Sequence, residues 1–233
     1  EGHFDDAVFA LARQADGKLL VGGDFSLANS VARQRLVRLN DGDGSLDNSF
    51  LASVNGAVYA IVAQADGRVV LGGAFTQVNG LARNFLARVQ TNGVVDTTFD
   101  IGGGADQPVF ALAETFWQGQ RRIIAGGAFS TVRGISRRGV VRLNADGTVD
   151  TSFDPGTGAE GIVYAVVAYP TNSVHAGKVL VAGDFERFNG QVSPGIVRLN
   201  PDGSVDPTFR VGTGANGTVR ALVLQPDGRI LVG

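Results

Sequence analysis

The chain has no cysteine and no methionine among its 233 residues, and it carries only one tryptophan and two histidines. The absence of cysteine excludes disulfide bridges, thiolate metal sites and a cysteine nucleophile. No apolar run approaches the length needed to span a bilayer. Without an initiating methionine the chain is expected to be a processed or excised segment, so any signal peptide would lie upstream.

Charge is also scarce. Charged residues make up 18% of the chain and the formal net charge is -2, whereas hydrophobic residues make up 44%. This balance predicts a packed core and argues against a disordered chain. It gives no electrostatic reason to expect nucleic acid or an anionic membrane as a partner.

Four short motifs recur in a fixed order along the chain. Each unit begins with Val-aromatic-Ala, continues through Gly-Gly-x-Phe and Arg-Leu-Asn, and closes with Asp-x-x-Phe. The alanines of the first motif are separated by 50 to 56 residues, at Ala10, Ala60, Ala111, Ala165 and, in a degenerate copy, Ala221. A sustained period of this length is typical of tandem structural repeats.

Each unit is predicted to contain four short antiparallel strands. Helical periodicity is absent, and strand-like runs are separated by Asp-Gly and Asn-Gly pairs, which supply the positive φ angles of tight hairpin turns. Four strands in a unit of this size match one blade of a β-propeller. We therefore predict an all-β propeller forming a single domain over residues 1–233, with repeats at about 7–56, 57–107, 108–161, 162–217 and a partial repeat at 218–233.

The motif set resembles the delta-60 repeat family, tandem units of large bacterial proteins. The resemblance covers nearly the whole chain and is carried by the segments 58–68, 72–75 and 142–153. It implies a β-propeller in a secreted or cell-surface protein. It carries no catalytic residues over to this chain.

The two ends leave the number of blades open. The sequence stops at Gly233, the first glycine of a fifth Gly-Gly-x-Phe motif, while Phe4-Asp5-Asp6 resembles the end of a fourth strand. Phe4 could supply the outer strand of a fifth blade whose inner strands are 219–224 and 229–232. A window cut from a longer array explains the same pattern, and its open strand edges would favour self-association.

Buried ion pairs are predicted within each repeat. An arginine recurs among apolar residues in the middle of the third strand, where burial on both faces requires a partner. An aspartate that recurs at the start of the last motif is the natural partner. The expected pairs, with a structural role, are Arg38 with Asp47, Arg88 with Asp96, Arg142 with Asp150 and Arg198 with Asp206.

Aspartates around two turns could form weak calcium sites. Asp146 and Asp150 flank one Gly turn, and Asp202 and Asp206 flank another. Oxygen ligands at alternating positions resemble part of a calcium loop, but the distal glutamate of the full loop is absent. The simpler interpretation is a hairpin turn in which aspartate caps its own backbone. No cofactor is therefore predicted, with calcium as the alternative.

Departures from the repeat indicate where a ligand could bind. The first hairpins of the third and fourth repeats are longer than the others and carry Trp117 and Tyr169. We expect these aromatics to project from the same rim, where they could stack on a sugar or anchor a protein. The alternative is that they cover the hairpin ends.

No constellation of catalytic residues is present. The acids recur with the repeat, the histidines are far apart, and no nucleophile elbow or phosphate loop occurs. The leading hypothesis is a non-enzymatic extracellular or cell-surface scaffold that presents a rigid rim to a protein or glycan partner. Two alternatives remain: a carbohydrate-binding or carbohydrate-active propeller that uses its channel mouth, and a calcium-stabilised repeat array.

Overall fold

The computed structural model describes residues 3–233 and contains strands and turns, with no helix in that range. The residues fall into two compact units, the first ending at Gly104 and the second covering Ala105–Gly233. The boundary lies near the end of the second sequence repeat, three residues before the third begins. Within residues 3–233 no helix has the length and hydropathy required to cross a membrane.

The first unit contains repeats one and two. In each repeat the second strand lies in the centre of a three-stranded antiparallel sheet, between the first strand and the last strand of the repeat. A hairpin of two-residue strands follows the second strand. The strands are β1 Val8–Arg13, β2 Leu19–Gly23, β3 Leu27–Ala28, β4 Val31–Ala32, β5 Leu36–Leu39, β6 Val58–Ala63, β7 Val69–Gly73, β8 Gln77–Val78, β9 Leu81–Ala82 and β10 Leu86–Val89.

The second unit contains repeats three and four and the partial fifth repeat. Repeat three has the same three-stranded arrangement, whereas the sheet of repeat four has a fourth strand because its second strand continues into the small hairpin. The partial fifth repeat forms a two-stranded antiparallel sheet. The strands are β11 Val109–Trp117, β12 Gln120–Gly127, β13 Thr131–Val132, β14 Ile135–Ser136, β15 Val140–Asn144, β16 Ala159–Ala168, β17 Val179–Phe188, β18 Gln191–Val192, β19 Ile196–Leu199, β20 Leu222–Leu224 and β21 Ile230–Val232.

The fourth strand of each blade is reduced to a single antiparallel bridge to the end of the third strand. These bridges join Leu39 to Leu46, Val89 to Val95, Leu143 to Val149 and Leu199 to Val205. The chain then turns at the aspartate of the Asp-x-x-Phe motif. The phenylalanine of that motif is fully buried at Phe50, Phe99 and Phe153, so the segment closes the blade by packing rather than by an extended ladder.

Phe4 occupies a different place from the outer strand considered from the sequence. It bridges Ala28 in the small hairpin of repeat one, and its ring lies 4.6 Å from that of Phe25. Val54 and Ala105 make the same bridge to the small hairpins of repeats two and three. Phe4 is therefore the linking residue that precedes repeat one.

The paired glycines allow the close approach that their repetition predicts. A Cβ on Gly22 would lie 2.7 Å from Val58 Cγ1, and one on Gly126 would lie 2.7 Å from Val163 Cγ1. The first strand of the following repeat therefore packs directly on this glycine. The Asn79-Gly80 turn has φ angles of 49° and 75°, as its hairpin requires.

The hydrophobic core of each unit joins consecutive repeats. In the first unit Leu20 and Phe50 of repeat one share a cluster with Val58 and Leu71 of repeat two. In the second unit Ile124 and Phe153 cluster with Val163 and Val181. A single sheet would leave one apolar face in water, so stacking of repeats provides the core.

Candidate binding surfaces

Each repeated arginine contacts the aspartate of its own repeat inside the blade. The distance from arginine Nε to aspartate Oδ2 is 2.7 to 2.8 Å in all four repeats. Each guanidinium also lies 4.6 to 4.8 Å from the centroid of the last phenylalanine ring in its repeat. The pairs are Arg38 with Asp47, Arg88 with Asp96, Arg142 with Asp150 and Arg198 with Asp206.

A second cation reaches the same aspartate oxygen. It comes from the start of the second strand, as in Lys178 Nζ to Asp206 Oδ2 at 2.6 Å. Sequence reasoning missed this contact, although the Asp-Gly-Lys and Asp-Gly-Arg turns of repeats one and two placed a cation at a constant position. The four second cations are Lys18, Arg68, Arg122 and Lys178.

The carboxylates are held ionised by these contacts. Burial alone would raise the pKa of Asp150, but hydrogen bonds from Ser152 and Arg122 and the charge of Arg142 lower it from 3.8 to about 2. The pKa values of Asp47, Asp96 and Asp206 are lowered by equivalent contacts that outweigh burial. A carboxylate with so low a pKa cannot serve as a general acid near neutral pH.

We expect this arrangement to make the fold sensitive to acid. The folded-state pKa of Asp150 lies below its ordinary value, so its contribution is complete above about pH 4 and is lost as the pH falls through about 2. That group alone contributes about 2 kcal/mol. Urea unfolding between pH 6 and pH 2 should show a falling free energy of unfolding, and the fall should be shallower in Asp150→Asn. An equal slope in both proteins would contradict the assignment.

The arginine also joins one repeat to the next within a unit. Arg38 Nη1 donates to the carbonyl oxygen of Thr91 at 2.7 Å, and Arg142 Nη1 donates to that of Pro201 at 2.7 Å. Thr91 and Pro201 follow the third strand of the succeeding repeat. The buried ion pair is therefore also part of the contact between blades.

The candidate calcium ligands are engaged in other contacts. Asp146 and Asp202 each accept hydrogen bonds from the backbone and hydroxyl of the residue two positions later. Asp150 and Asp206 each contact two cations. Across residues 3–233 no group of three acidic or histidine side chains is arranged to hold a metal ion. This donor set is a poor fit for calcium.

The expectation that Tyr169 projects from the rim is wrong. Its side chain is only 4% exposed. The ring lies 5.9 Å from the Arg198 guanidinium and 5.1 Å from the His175 ring. Burial would lower the pKa of Arg198, but its hydrogen bonds to Tyr169 and Asp206 raise it. Tyr169 thus covers the buried Arg198 guanidinium, and this contact fixes the tyrosine ring in place.

Trp117 is half-buried at the end of the β11–β12 hairpin. Its ring lies 5.8 Å from the Arg142 guanidinium, and a Cβ on Gly177 would lie 2.7 Å from Trp117 Cε3. The indole therefore packs against the backbone of the enlarged hairpin of repeat four. The two long hairpins therefore meet, and Trp117 and Tyr169 lie over the guanidinium groups of Arg142 and Arg198.

A repeated aromatic residue is displayed on the first strand of every complete repeat. The strand register skips one residue in each Val-aromatic-Ala motif, so the aromatic is the extra residue of a β-bulge. Bulges re-aim a side chain away from the regular pleat. The bulged aromatics, called here the aromatic row, are Phe9, Tyr59, Phe110 and Tyr164.

The aromatic row is partly accessible, and the Arg220 guanidinium lies 5.0 Å from the Tyr164 ring centroid. Phe9 is 50% exposed, and the other three rings are half-buried. Ring centroids of Phe9 and Tyr59 lie 5.3 Å apart in the first unit, and those of Phe110 and Tyr164 lie 5.3 Å apart in the second. These residues mark the repeat in the sequence, but their display on a bulge depends on strand register, which the motif alone does not specify.

The fold and the repeated ion pairs define an all-β propeller built from tandem blades. The chain belongs to the family described as a domain of unknown function, the DUF5122 beta-propeller. The family profile matches residues 14–50, 64–99, 121–153 and 177–209, which together exceed half of the chain. The comparison with curated proteins gave no match.

Several solved structures share the fold. The WD40 beta-propeller domain of Doa1 has a TM-score of 0.61 at 15% identity, over 99% of this chain and 62% of that one. A chain of the Mitotic Checkpoint Complex has a TM-score of 0.59 at 12% identity, over 97% of this chain and 71% of that one. The extracellular domain of a putative one-component system from B. thetaiotaomicron has a TM-score of 0.52 at 15% identity, over 100% of this chain and 25% of that one. At these identities the likeness is one of fold.

Proposed function

We propose that this chain is a non-enzymatic interaction scaffold of a secreted or cell-surface protein, and that its repeats present a rigid surface to a protein or glycan partner. The observation that supports this most is the aromatic row, in which every complete repeat displays one ring on a bulge. The resemblance to repeats of large bacterial proteins supports the location.

A binding role fits the chemistry of the row. Aromatic rings offer large flat apolar faces at low cost in side-chain entropy, which suits them to sugar faces and to protein contacts. A glycosidase needs a pair of carboxyl groups at its site. The recurring carboxylates of this chain are engaged in buried ion pairs. The aromatic row also favours carbohydrate binding as the second candidate, through stacking alone.

Thermal melts with a panel of bacterial and plant glycans, and separately with calcium, test the proposal. A ligand that binds the native state raises the unfolding midpoint by mass action. We expect Tyr59→Ala and Tyr164→Ala to abolish the shift caused by a glycan. Phe116→Ala, which removes an exposed ring at a hairpin end, should retain it.

The outcomes separate the candidates. A shift that survives both tyrosine substitutions would contradict binding at the aromatic row, and turnover of a glycan would contradict a non-enzymatic role. A shift with calcium alone would favour the calcium-stabilised array. When no glycan shifts the midpoint, the same variants are compared for binding to candidate protein partners, where loss of binding is again the expected result.

A further inference from the structure

An open groove in the first unit corresponds to a filled groove in the second. The first groove lies between the first-hairpin turns of repeats one and two and has a volume of about 430 Å³. Its walls include Gln14, Asp16, Arg38, Gln64, Gly67 and Thr91. In the second unit the Trp117 indole lies in the equivalent place, against Gly177 of repeat four and over the Arg142 guanidinium.

The two grooves are framed by equivalent residues. Thr91 and Pro201 are the residues whose carbonyls accept Nη1 of Arg38 and Arg142. Gly67 and Gly177 each precede the second cation of their repeat. A Cβ added to Gly67 would lie 2.8 Å from Thr91 Cγ2, and a Cβ added to Gly177 would lie 3.2 Å from Pro201 Cγ. The backbone frame of the groove is therefore repeated.

The arginine at the base differs in its aromatic neighbours. Arg142 contacts two rings, Phe153 at 4.8 Å and Trp117 at 5.8 Å. Arg198 also contacts two, Phe209 at 4.8 Å and Tyr169 at 5.9 Å. Arg38 contacts Phe50 at 4.8 Å, and within residues 3–233 no second ring takes the corresponding place.

Gln14 occupies the sequence position from which a second ring would contact Arg38. It lies four residues after the alanine of the first motif, which is the position of Tyr169 in repeat four. Its contacts are long, with Nε2 3.3 Å from the Gly67 carbonyl oxygen and Oε1 3.5 Å from Arg38 Nη1. Such hydrogen bonds are weak and can be exchanged for contacts with a ligand.

We propose that the first groove binds a tryptophan or tyrosine side chain presented on a turn of a protein partner. The ring would contact the Arg38 guanidinium in the way that internal aromatic rings contact Arg142 and Arg198. The side-chain amides of Gln14 and Gln64 would contact the polar edge of the ring. Both rings that lie over these arginines are carried at hairpin ends, which is why a polypeptide turn is the chosen ligand. This inference rests on the proposed scaffold function but concerns a surface separate from the aromatic row.

The probe is a cyclised peptide with the chain's own hairpin-end sequence, residues 115–120, and its matched control carries alanine in place of the tryptophan. NMR signals of the Gln14 side-chain amide and Arg38 Nε report on the groove. We expect saturable shifts with the tryptophan peptide, with a Kd on the order of 1 mM for one stacked ring. The alanine peptide should cause none.

Gln14→Tyr is the decisive variant, because it should place a ring over the Arg38 guanidinium as Tyr169 lies over Arg198 in repeat four, and so compete with the peptide for that contact. It should weaken peptide binding at least tenfold while the unfolding midpoint stays the same or rises. Gln14→Ala, which enlarges the groove, should bind at least as well as the parent and serves if the tyrosine variant does not fold. Tyr59→Ala should leave peptide binding unchanged, so failure here is distinguishable from failure of the aromatic row.

Three results would overturn the inference. They are equal binding of both peptides, unaltered binding by Gln14→Tyr, or no shift of the groove signals at several millimolar tryptophan peptide. Shifts produced by a glycan but not by the peptide would reassign the groove to sugars.

Discussion

Asp96→Ala should lower the free energy of unfolding by about 3–5 kcal/mol, the range for breaking a buried ion pair by removing one partner. The Asp96 side chain is fully buried, and its Oδ2 lies 2.7 Å from Arg88 Nε and 3.4 Å from Arg68 Nη1. Its Oδ1 accepts bonds from the backbone and hydroxyl of Thr98. Removal of the carboxylate leaves the buried Arg88 charge without its anion.

Two variants identify the cause of this loss. Asp66→Ala breaks a half-exposed pair with Arg68 and should cost less than about 1 kcal/mol. The double variant Arg88→Met with Asp96→Leu removes both charges and should recover much of the stability, because apolar replacement of a whole buried pair is often neutral. Urea unfolding measures all three. A double variant as unstable as Asp96→Ala would show that packing, not the unpaired charge, dominates.

Gly73→Ala should be comparably damaging, with a loss of about 3 kcal/mol, at the upper end of overpacking effects. An added Cβ would lie 2.1 Å from the Ala57 carbonyl oxygen and 2.9 Å from Phe75 Cδ1. That carbonyl accepts the backbone hydrogen bond of Ala74 at 2.9 Å, so it cannot retreat without breaking the bond. The obstacle is backbone rather than a flexible side chain.

Gly103→Ala is the matched control. A Cβ there meets no atom within 4 Å, and Gly103 does not have a positive φ. This change should be neutral or stabilise the fold by up to about 1 kcal/mol, because alanine restricts the unfolded chain. Chemical unfolding of both variants tests the comparison. If Gly73→Ala proved as mild as Gly103→Ala, the close approach at the paired glycines would not be required.

Features that recur with the sequence period were predictable. The propeller fold follows from four ordered motifs, and it is confirmed by the family match and the structural neighbours. The partnership of Arg88 with Asp96 could also be expected, since a buried charge needs a counter-charge and one recurs with it. The Asn79-Gly80 turn followed from its local backbone preference.

Features that depend on register or on non-repeating contacts were not predictable. The bulge at Tyr59 requires knowledge of which residues pair across β6 and β7, and several registers satisfy the same apolar pattern. Burial of Tyr169 depends on the position of Arg198, nearly thirty residues later. The predicted fourth strand is only a single bridge, because the buried phenylalanine of the last motif, rather than backbone pairing, closes the blade.

The hydrogen bonds by which Arg38 and Arg142 connect repeats end on main-chain carbonyls, and this has a consequence for how such arrays can change. Arg38 bonds to the carbonyl of a threonine, whereas Arg142 bonds to that of a proline. The receiving blade thus needs only the right backbone path, whatever its side chain at that point. A blade copied or deleted by recombination would meet a compatible neighbour at once, so the array could gain or lose whole blades without matched substitutions at the new junction.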